Sequence, residues 1–198
     1  MSHRLVVLAS GGGSNLEAIL EAQARGELPV KVVLVISSRP DAFALQRARK
    51  RDILTAVIEK DMFPDEEQYD QMMLDVLSGA RPDLICLAGY MRKLGPRIIE
   101  QYHGRILNIH PALLPKYGGK GMFGKNVHEA VLRAGEKESG CSVHLVDEEF
   151  DHGPVLAQAR VPVLPGDTAD TLAARVLAQE HKLYPQAIKE FCATLRRS

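Results

Sequence analysis

Residues 106–115 read Ile106-Leu-Asn-Ile-His-Pro-Ala-Leu-Leu-Pro115, an apolar run typical of a buried strand that a proline ends. Alternate residues of a strand point to the same side, so Asn108 and His110 are predicted to project together from one face. An amide beside an imidazole can polarise a carbonyl group, and the imidazole can move a proton near neutral pH. The alternative is a buried structural histidine beside a strand-end asparagine.

The composition favours a single globular domain. The chain has 198 residues, 45% of them hydrophobic, which is enough for a sizeable core. Lys+Arg and Asp+Glu both number 25, so the formal net charge is zero. No overall field attracts nucleic acid or acidic membranes, and neither is an expected partner.

The compartment is predicted from the cysteines and from the absence of targeting signals. The longest clear apolar strand, 32–36, is too short to cross a bilayer, and residues 1–5 do not resemble a signal peptide. Three widely spaced cysteines indicate free thiols in a reducing cytoplasm, namely Cys86, Cys141 and Cys192.

Short apolar runs alternate with amphipathic stretches through the first part of the chain. Strands are predicted at 5–9, 32–36, 54–58, 83–88 and 106–110. Helices are predicted between them at 14–25, 41–50 and 66–78. This alternation predicts right-handed crossovers and a mostly parallel sheet, in which ligands bind outside the carboxyl ends of the strands. Asn108 and His110 fall at such an end.

The second part predicts two strands at 141–146 and 154–161, which we expect to be antiparallel neighbours. A helix follows at 168–190, and Pro185 is expected to kink or interrupt it. The glycine-rich segment Gly118–Gly124 is expected to be a mobile lid. The predicted fold is therefore α/β: a Rossmann-like, open, twisted sheet, mostly parallel with antiparallel C-terminal strands, and helices on both faces.

The segment Ser10-Gly-Gly-Gly-Ser-Asn15 joins the first strand to the first helix. Glycines let backbone N–H groups turn toward an anion, the helix start adds a favourable partial charge, and Ser14 and Asn15 add donors. The segment lacks the lysine of a Walker loop, and Leu16 breaks the Gly-x-Gly-x-x-Gly fingerprint. It predicts a phosphate cradle, with a tight turn capped by Ser14 as the alternative.

A second polar turn, at 150–154, carries Asp151. Asp151 can orient His110 or relay protons through water, and a nearby carboxylate favours the imidazolium and raises the pKa of a histidine. The alternative is an ordinary turn residue. Ser142 and His144 share a strand face and are supporting candidates. The five histidines from 103 to 152 lack compact ligand spacing, so no metal is expected.

Taken in order, these motifs resemble the folate-dependent formyltransferase superfamily, through Asn-x-His-Pro-x-Leu-Leu-Pro and the later aspartate. The Gly-Ser-Asn at 13–15 and the Gln-Glu-His at 179–181 are similar to its phosphoribosylglycinamide formyltransferase branch. The resemblance covers nearly the whole chain. It implies transfer of a formyl group from 10-formyltetrahydrofolate, as co-substrate, to the amine of glycinamide ribonucleotide in purine biosynthesis, without a metal.

The resemblance also implies roles for particular residues. Asn108 and His110 would stabilise the oxyanion, and Asp151 would assist proton transfer while both substrates are bound. The implied substrate-binding residues are Gly13, Ser14, Asn15, Met91 and Glu180. The implied folate-binding residues are Tyr90, Arg92, Leu94, Asn108, Val146, Asp147, Phe150 and Asp151. A monomer or a homodimer is expected.

We expect one domain over 1–198, with a phosphate-binding half at about 1–105 and a catalytic and folate-binding half at about 106–198. Related enzymes that act on methionyl-tRNA or a sugar nucleotide usually add a C-terminal domain, and a tRNA enzyme needs a basic surface. A related hydrolase that releases formate usually adds an N-terminal domain. The chain begins at its first strand and ends soon after its last helix, so we expect neither addition. A dinucleotide oxidoreductase and a non-catalytic homologue remain as alternatives.

Overall fold

The computed structural model describes residues 2–195. Its seven strands are β1 (His3–Leu8), β2 (Val30–Ser37), β3 (Leu54–Val57), β4 (Leu84–Leu87), β5 (Ile106–His110), β6 (Glu138–Leu145) and β7 (Val155–Pro162). They form one sheet in the order β3-β2-β1-β4-β5-β6-β7. The first five strands are parallel to their neighbours, whereas β6 is antiparallel to β5 and β7 is antiparallel to β6.

The helices are α1 (Ser14–Ala24), α2 (Phe43–Arg49), α3 (Glu66–Ala80), α4 (Pro96–Gln101), α5 (Lys125–Arg133) and α6 (Ala169–Thr194). A 3-10 turn covers Lys60–Met62. Within residues 2–195, no helix combines the length and the apolar character that a membrane span requires.

Alternate residues of β1 belong to two different hydrophobic cores. Leu5 and Val7 pack with residues of α1, α2 and α6 on one face, while Val6 and Leu8 pack with α3 and α4 on the other. A strand that is covered on both faces must be apolar at every position, which is why β1 reads as a continuous apolar run. The predicted fold class, with helices on both faces, is confirmed.

The C-terminal helix corrects one expectation. Pro185 lies inside α6, which continues from Ala169 to Thr194, so the expected interruption was wrong, whereas the alternative of a kink stays a prediction. Proline removes one backbone donor, but the buried apolar side of α6 packs against the sheet and holds the helix together. The Thr168 side chain caps α6 by accepting from the N–H of Thr171.

Two helices were not predicted from the sequence. α4 has six residues and begins at Pro96, and α5 has nine residues and begins directly after Gly124. Each is too short for a clear 3.6-residue periodicity, so packing and not pattern specifies it. α5 is the more important omission, because it borders the cavity described below.

Candidate active site

The pairing of β5 with β6 assembles the first part of the site. Asn108 lies opposite His144, and His110 lies opposite Ser142, so all four side chains share one face of the sheet. Ser142 has a structural role. Its hydroxyl donates to the carbonyl of Ala112 and accepts from the N–H of Leu114. These bonds fix the course of the chain directly after the strand.

Asp151 reaches this face from the turn between β6 and β7. Its Oδ2 lies 3.5 Å from His110 Nδ1, and its Oδ1 lies 3.5 Å from His144 Nε2. The backbone of Asp151 has a φ of 57°, and a Cβ at Gly153 would lie 1.9 Å from the carbonyl oxygen of Leu145. The turn is therefore packed tightly against β6, and this close approach holds the carboxylate between the two imidazoles.

Two hydrogen bonds determine how Asn108 is oriented. His144 Nδ1 lies 2.8 Å from the carbonyl oxygen of Leu145, and a carbonyl can only accept, so Nδ1 carries the proton. His144 Nε2 must then accept from Asn108 Nδ2, which lies 3.0 Å away. The same amide nitrogen makes a long contact of 3.4 Å with Asp151 Oδ1. The amide donor thus faces the carboxylate and the cavity.

Opposing effects set the pKa values of His110 and Asp151. Burial lowers the pKa of His110, and although Asp151 and the carbonyl of Tyr117 act in the opposite direction, burial outweighs them. The carboxylate of Asp151 thus acts in the expected direction, but the net shift is downward because the ring is only 4% exposed. Burial alone would raise the pKa of Asp151, but the neighbouring imidazoles of His144 and His110 and the N–H of Gly119 bring it below its usual value.

Asn108, His110 and Asp151 line a cavity of about 660 Å³ near the carboxyl ends of β4 and β5. Nine other residues implicated by the sequence also line it: Asn15, Tyr90, Met91, Arg92, Leu94, Val146, Asp147, Phe150 and Glu180. Gly13 and Ser14 are not among its lining residues and lie just before Asn15 on the adjoining loop. The cavity therefore brings the implied catalytic residues together with most of the implied binding residues.

A buried hydrogen bond links the glycine loop to the C-terminal helix. Asn15 Nδ2 donates to Glu180 Oε2 over 2.6 Å, although 165 residues separate the two. Burial raises the pKa of Glu180, and the bond from Asn15 opposes that rise. Asn15 Oδ1 is also buried and has no hydrogen-bond partner in the described part of the chain. An unsatisfied buried acceptor next to a buried carboxyl group at a cavity wall favours a polar ligand there.

The glycine loop itself is held from α2. Gly13 has a φ of 68°, and a Cβ there would lie 2.7 Å from the Cα of Ala44, so only glycine fits. Arg47 Nε donates to the carbonyl of Gly12 over 2.9 Å. The N–H groups of Gly12, Gly13 and Ser14 find no acceptor within residues 2–195. With the carbonyl oxygens of Gly11 and Gly12 bonded to α2, the loop keeps its donors for an anion.

Sequence reasoning missed His128, which lies in α5 and lines the same cavity. His128 is 4% exposed, and its Nδ1 has no partner among the described residues. Burial lowers the pKa of His128, and the positive charge on His110 lowers it further. The apolar pair Val127 and Val131, four residues apart, is the signal that could have indicated this helix. The structure describes no group of three or more His, Cys, Asp or Glu placed to hold a metal ion in 2–195.

Acidification is expected to destabilise the fold. Burial lowers the pKa of His110, His128 and His181 in the folded protein, so the unfolded chain binds more protons as the pH falls below about 6.5. The stability is fully present above that pH and is lost toward the lowered values. Thermal melts at pH 7.5 and 5.5 measure the loss. Each kcal/mol lost from the free energy of unfolding should lower Tm by about 2–4 °C. His128→Gln, which cannot titrate, should lose less Tm between the two pH values; an equal loss would contradict the role of burial.

Comparison with known proteins defines the class. The family profile described as formyl transferase matches residues 3–188, which is nearly all of the described chain. Over 187 residues the chain is 44% identical to the phosphoribosylglycinamide formyltransferase of Escherichia coli, covering 94% of this chain and 86% of that protein. The chain belongs to the phosphoribosylglycinamide formyltransferase family.

Solved structures show the same relationship. The phosphoribosylglycinamide formyltransferase of Brucella melitensis is 47% identical and superposes with a TM-score of 0.90, covering 100% of both chains. Glycinamide ribonucleotide transformylase 1 of Symbiobacterium toebii is 41% identical with a TM-score of 0.91, covering 97% of this chain and 88% of that one. The resemblance stated from the sequence is confirmed.

Proposed function

We propose that this protein transfers the formyl group of 10-formyltetrahydrofolate to the amine of 5'-phosphoribosylglycinamide in de novo purine biosynthesis. The observation that carries this proposal is a single cavity shared by Asn108, His110, Asp151 and the Asn15–Glu180 pair. Both small substrates can be bound in this cavity at the same time. Holding them together supplies much of the rate of a bimolecular reaction, so a ternary complex is the expected kinetic form.

The glycine loop and the C-terminal helix are the proposed seat of the phosphorylated substrate. The free N–H groups of Gly12, Gly13 and Ser14 would bind the phosphate, with the Ser14 hydroxyl as a further donor. Glu180 and Asn15 would bind polar groups of the same substrate, and Met91 would lie along its groove. This arrangement agrees with the formal net charge of zero, since the anion is bound by local donors.

The remaining cavity wall is the proposed folate pocket. Leu94, Val146 and Phe150 supply apolar surface, and Tyr90 is held in place by a 2.7 Å hydrogen bond between its hydroxyl and that of Tyr69. Arg92 is exposed at the cavity and forms no ion pair with any of residues 2–195, so it is placed to meet the glutamate tail. Asp147 would contribute through the backbone beside Val146.

The proposed chemistry follows from the charge that develops. The amine attacks the formyl carbon, and negative charge forms on the formyl oxygen. Asn108 Nδ2 and a protonated His110 would donate to that oxygen; the oxyanion and Asp151 together favour the imidazolium that burial disfavours in the free protein. Asp151 would help to move the proton from the amine to the departing folate nitrogen, through water. No covalent intermediate and no metal are required.

Turnover of glycinamide ribonucleotide with a 10-formyl folate analogue tests the proposal, with release of the deformylated product followed by absorbance. Amine-dependent release that Asn108→Ala abolishes supports the transferase. Release without the amine would indicate a hydrolase, and tight folate binding without release would mean that the acceptor is wrong. Titration with NADPH excludes or reveals the dinucleotide alternative. We further propose that the protein acts in the cytoplasm, as a monomer or a homodimer, without nucleic acid or membrane partners.

Replacing Ser14 with alanine is expected to raise the KM for the phosphorylated substrate by about 10- to 100-fold, because one hydrogen bond to a charged group is lost. Alanine is a good helix former at the start of α1, so the fold is retained. The kcat and the KM for the formyl folate should not change and serve as internal controls. An unchanged KM for the phosphorylated substrate would remove Ser14 from the phosphate site.

A further inference from the structure

A backbone carbonyl, not a side chain, holds the ring of His110. His110 Nε2 lies 2.7 Å from the carbonyl oxygen of Tyr117. Since a carbonyl can only accept, Nε2 must carry a proton. In the neutral ring, Nδ1 then carries only a lone pair, and this is the nitrogen that lies 3.5 Å from Asp151 Oδ2. The other titratable groups near the ring are His144 and His128.

Without that carbonyl the ring would be expected to change its tautomer. Asp151 is ionised, because its pKa lies below the usual value, and a carboxylate attracts the imidazole proton to the nitrogen that faces it. The carbonyl of Tyr117 competes with Asp151 for the one proton of the neutral ring. The position of this backbone group therefore decides which ring nitrogen carries the proton and which one lies beside Asp151 without a proton.

The side chain of Tyr117 anchors the backbone in that position. Tyr117 has a φ of 57°, an unfavourable region for a residue with a side chain, so its surroundings must hold it there. Its ring packs against the hydrophobic core, and its hydroxyl donates to Glu136 Oε1 over 3.0 Å. Lys116 Nζ donates to the same oxygen over 2.8 Å, and both contacts, that of Lys116 first, hold the pKa of Glu136 below its usual range.

We propose that Tyr117 and Glu136 are positioning residues that lock His110 in the tautomer with the proton on Nε2, leaving Nδ1 to take up the proton that the reaction requires. In the imidazolium, Nδ1–H would then be the donor offered to the formyl oxygen, since Nε2–H remains bound to the carbonyl of Tyr117. This role in catalysis rests on the proposed function, whereas the lock itself is a property of the free protein. The Tyr117–Glu136 hydrogen bond is not among the contacts that the family resemblance implies.

Nitrogen-15 NMR of histidine-labelled free protein tests the lock directly, since a protonated and a bare ring nitrogen have widely separated shifts. The His110 signals are assigned by their loss in His110→Gln. Above the pH at which His110 titrates, the wild type should show a protonated Nε2 and a bare Nδ1. Tyr117→Phe, which removes only the hydroxyl, and Glu136→Ala should both move these signals toward the average of the two tautomers.

Two matched variants separate the lock from general loss of structure. Glu136→Gln keeps an acceptor oxygen for the phenol and should restore the wild-type tautomer. Lys116→Ala removes the neighbouring ion pair but leaves the Tyr117–Glu136 bond, so it should leave the His110 signals and kcat unchanged. Thermal melts report whether Tyr117→Phe folds. Glu136→Ala removes the same hydrogen bond from the other side, at a partly exposed position.

The kinetic expectation is a fall in kcat of about three- to tenfold for Tyr117→Phe and Glu136→Ala, with both KM values unchanged, because one hydrogen bond from the phenol to the partly exposed Glu136 carboxylate is lost. The alkaline limb of the pH profile of kcat, which reports loss of the imidazolium of His110, should shift in the same two variants. A wild-type ring protonated on Nδ1, or folded variants with an unaltered tautomer, would overturn the proposal. If the acceptor substrate were wrong, turnover would fail while the NMR result stood, so the two failures are distinguishable.

Discussion

Replacing His110 with alanine is expected to lower kcat by about 10²–10⁴-fold, the usual cost of removing an oxyanion donor or a general acid–base group. His110 is buried beside Asp151 and lines the cavity, so no neighbouring side chain of the same chemistry can take its place in the position that Tyr117 holds. The rate of formyl transfer under saturating concentrations of both substrates measures the effect.

His152→Ala is the matched control. His152 lies one residue after Asp151, its side chain is 73% exposed, and it is not among the residues that line the cavity. It should retain the kcat of the wild type. Melting curves of His110→Ala establish that the fold survives, and a folded variant that kept near-normal kcat would remove His110 from the mechanism.

Asp151→Asn is expected to lower kcat by about 10²–10⁴-fold as well, because an amide can neither take up the amine proton nor favour the imidazolium of His110. The substitution should remove the charge at position 151 while the local backbone is kept. The φ of 57° at Asp151 is a conformation that asparagine tolerates, and an amide oxygen can still accept from the N–H of Gly119, which Asp151 Oδ2 accepts over 3.0 Å.

The pH dependence of the Asp151→Asn variant gives a second readout. Removal of the carboxylate should lower the pKa of His110 further, since Asp151 is the principal group that raises it against burial. Because His110 acts in its protonated form, the alkaline limb of the residual kcat profile should therefore move to lower pH. Unchanged kcat in the variant would mean that another group moves the proton, and Glu149→Gln, an exposed cavity residue, is the control for general loss of negative charge.

The parts of the fold that depend on short-range pattern were predictable. The strand predicted at 106–110 is β5, with the same bounds, because an apolar run that ends in a proline is a local signal. The shared face of Asn108 and His110 follows from the two-residue period of any strand. The mostly parallel sheet follows in the same way from strands that alternate with helices.

Short or unusual elements were less predictable. α5 has nine residues and follows a glycine-rich segment, so His128 could not be placed at the cavity in advance. Pro185 signals a helix break locally, yet packing of α6 on the sheet overrides that signal. In both cases tertiary contacts supply free energy that the local sequence does not reveal.

The sequence by itself determined the order of the seven strands and of four of the six helices, the placement of Asn108 and His110 on one face, and the family. Only the tertiary structure decided that Asp151, which is 43 residues from Asn108, lies between His110 and His144. It also decided that burial outweighs this carboxylate in the pKa of His110. Periodicity and turn chemistry act between near neighbours along the chain, whereas desolvation and charge act through space and exist only after the chain has folded.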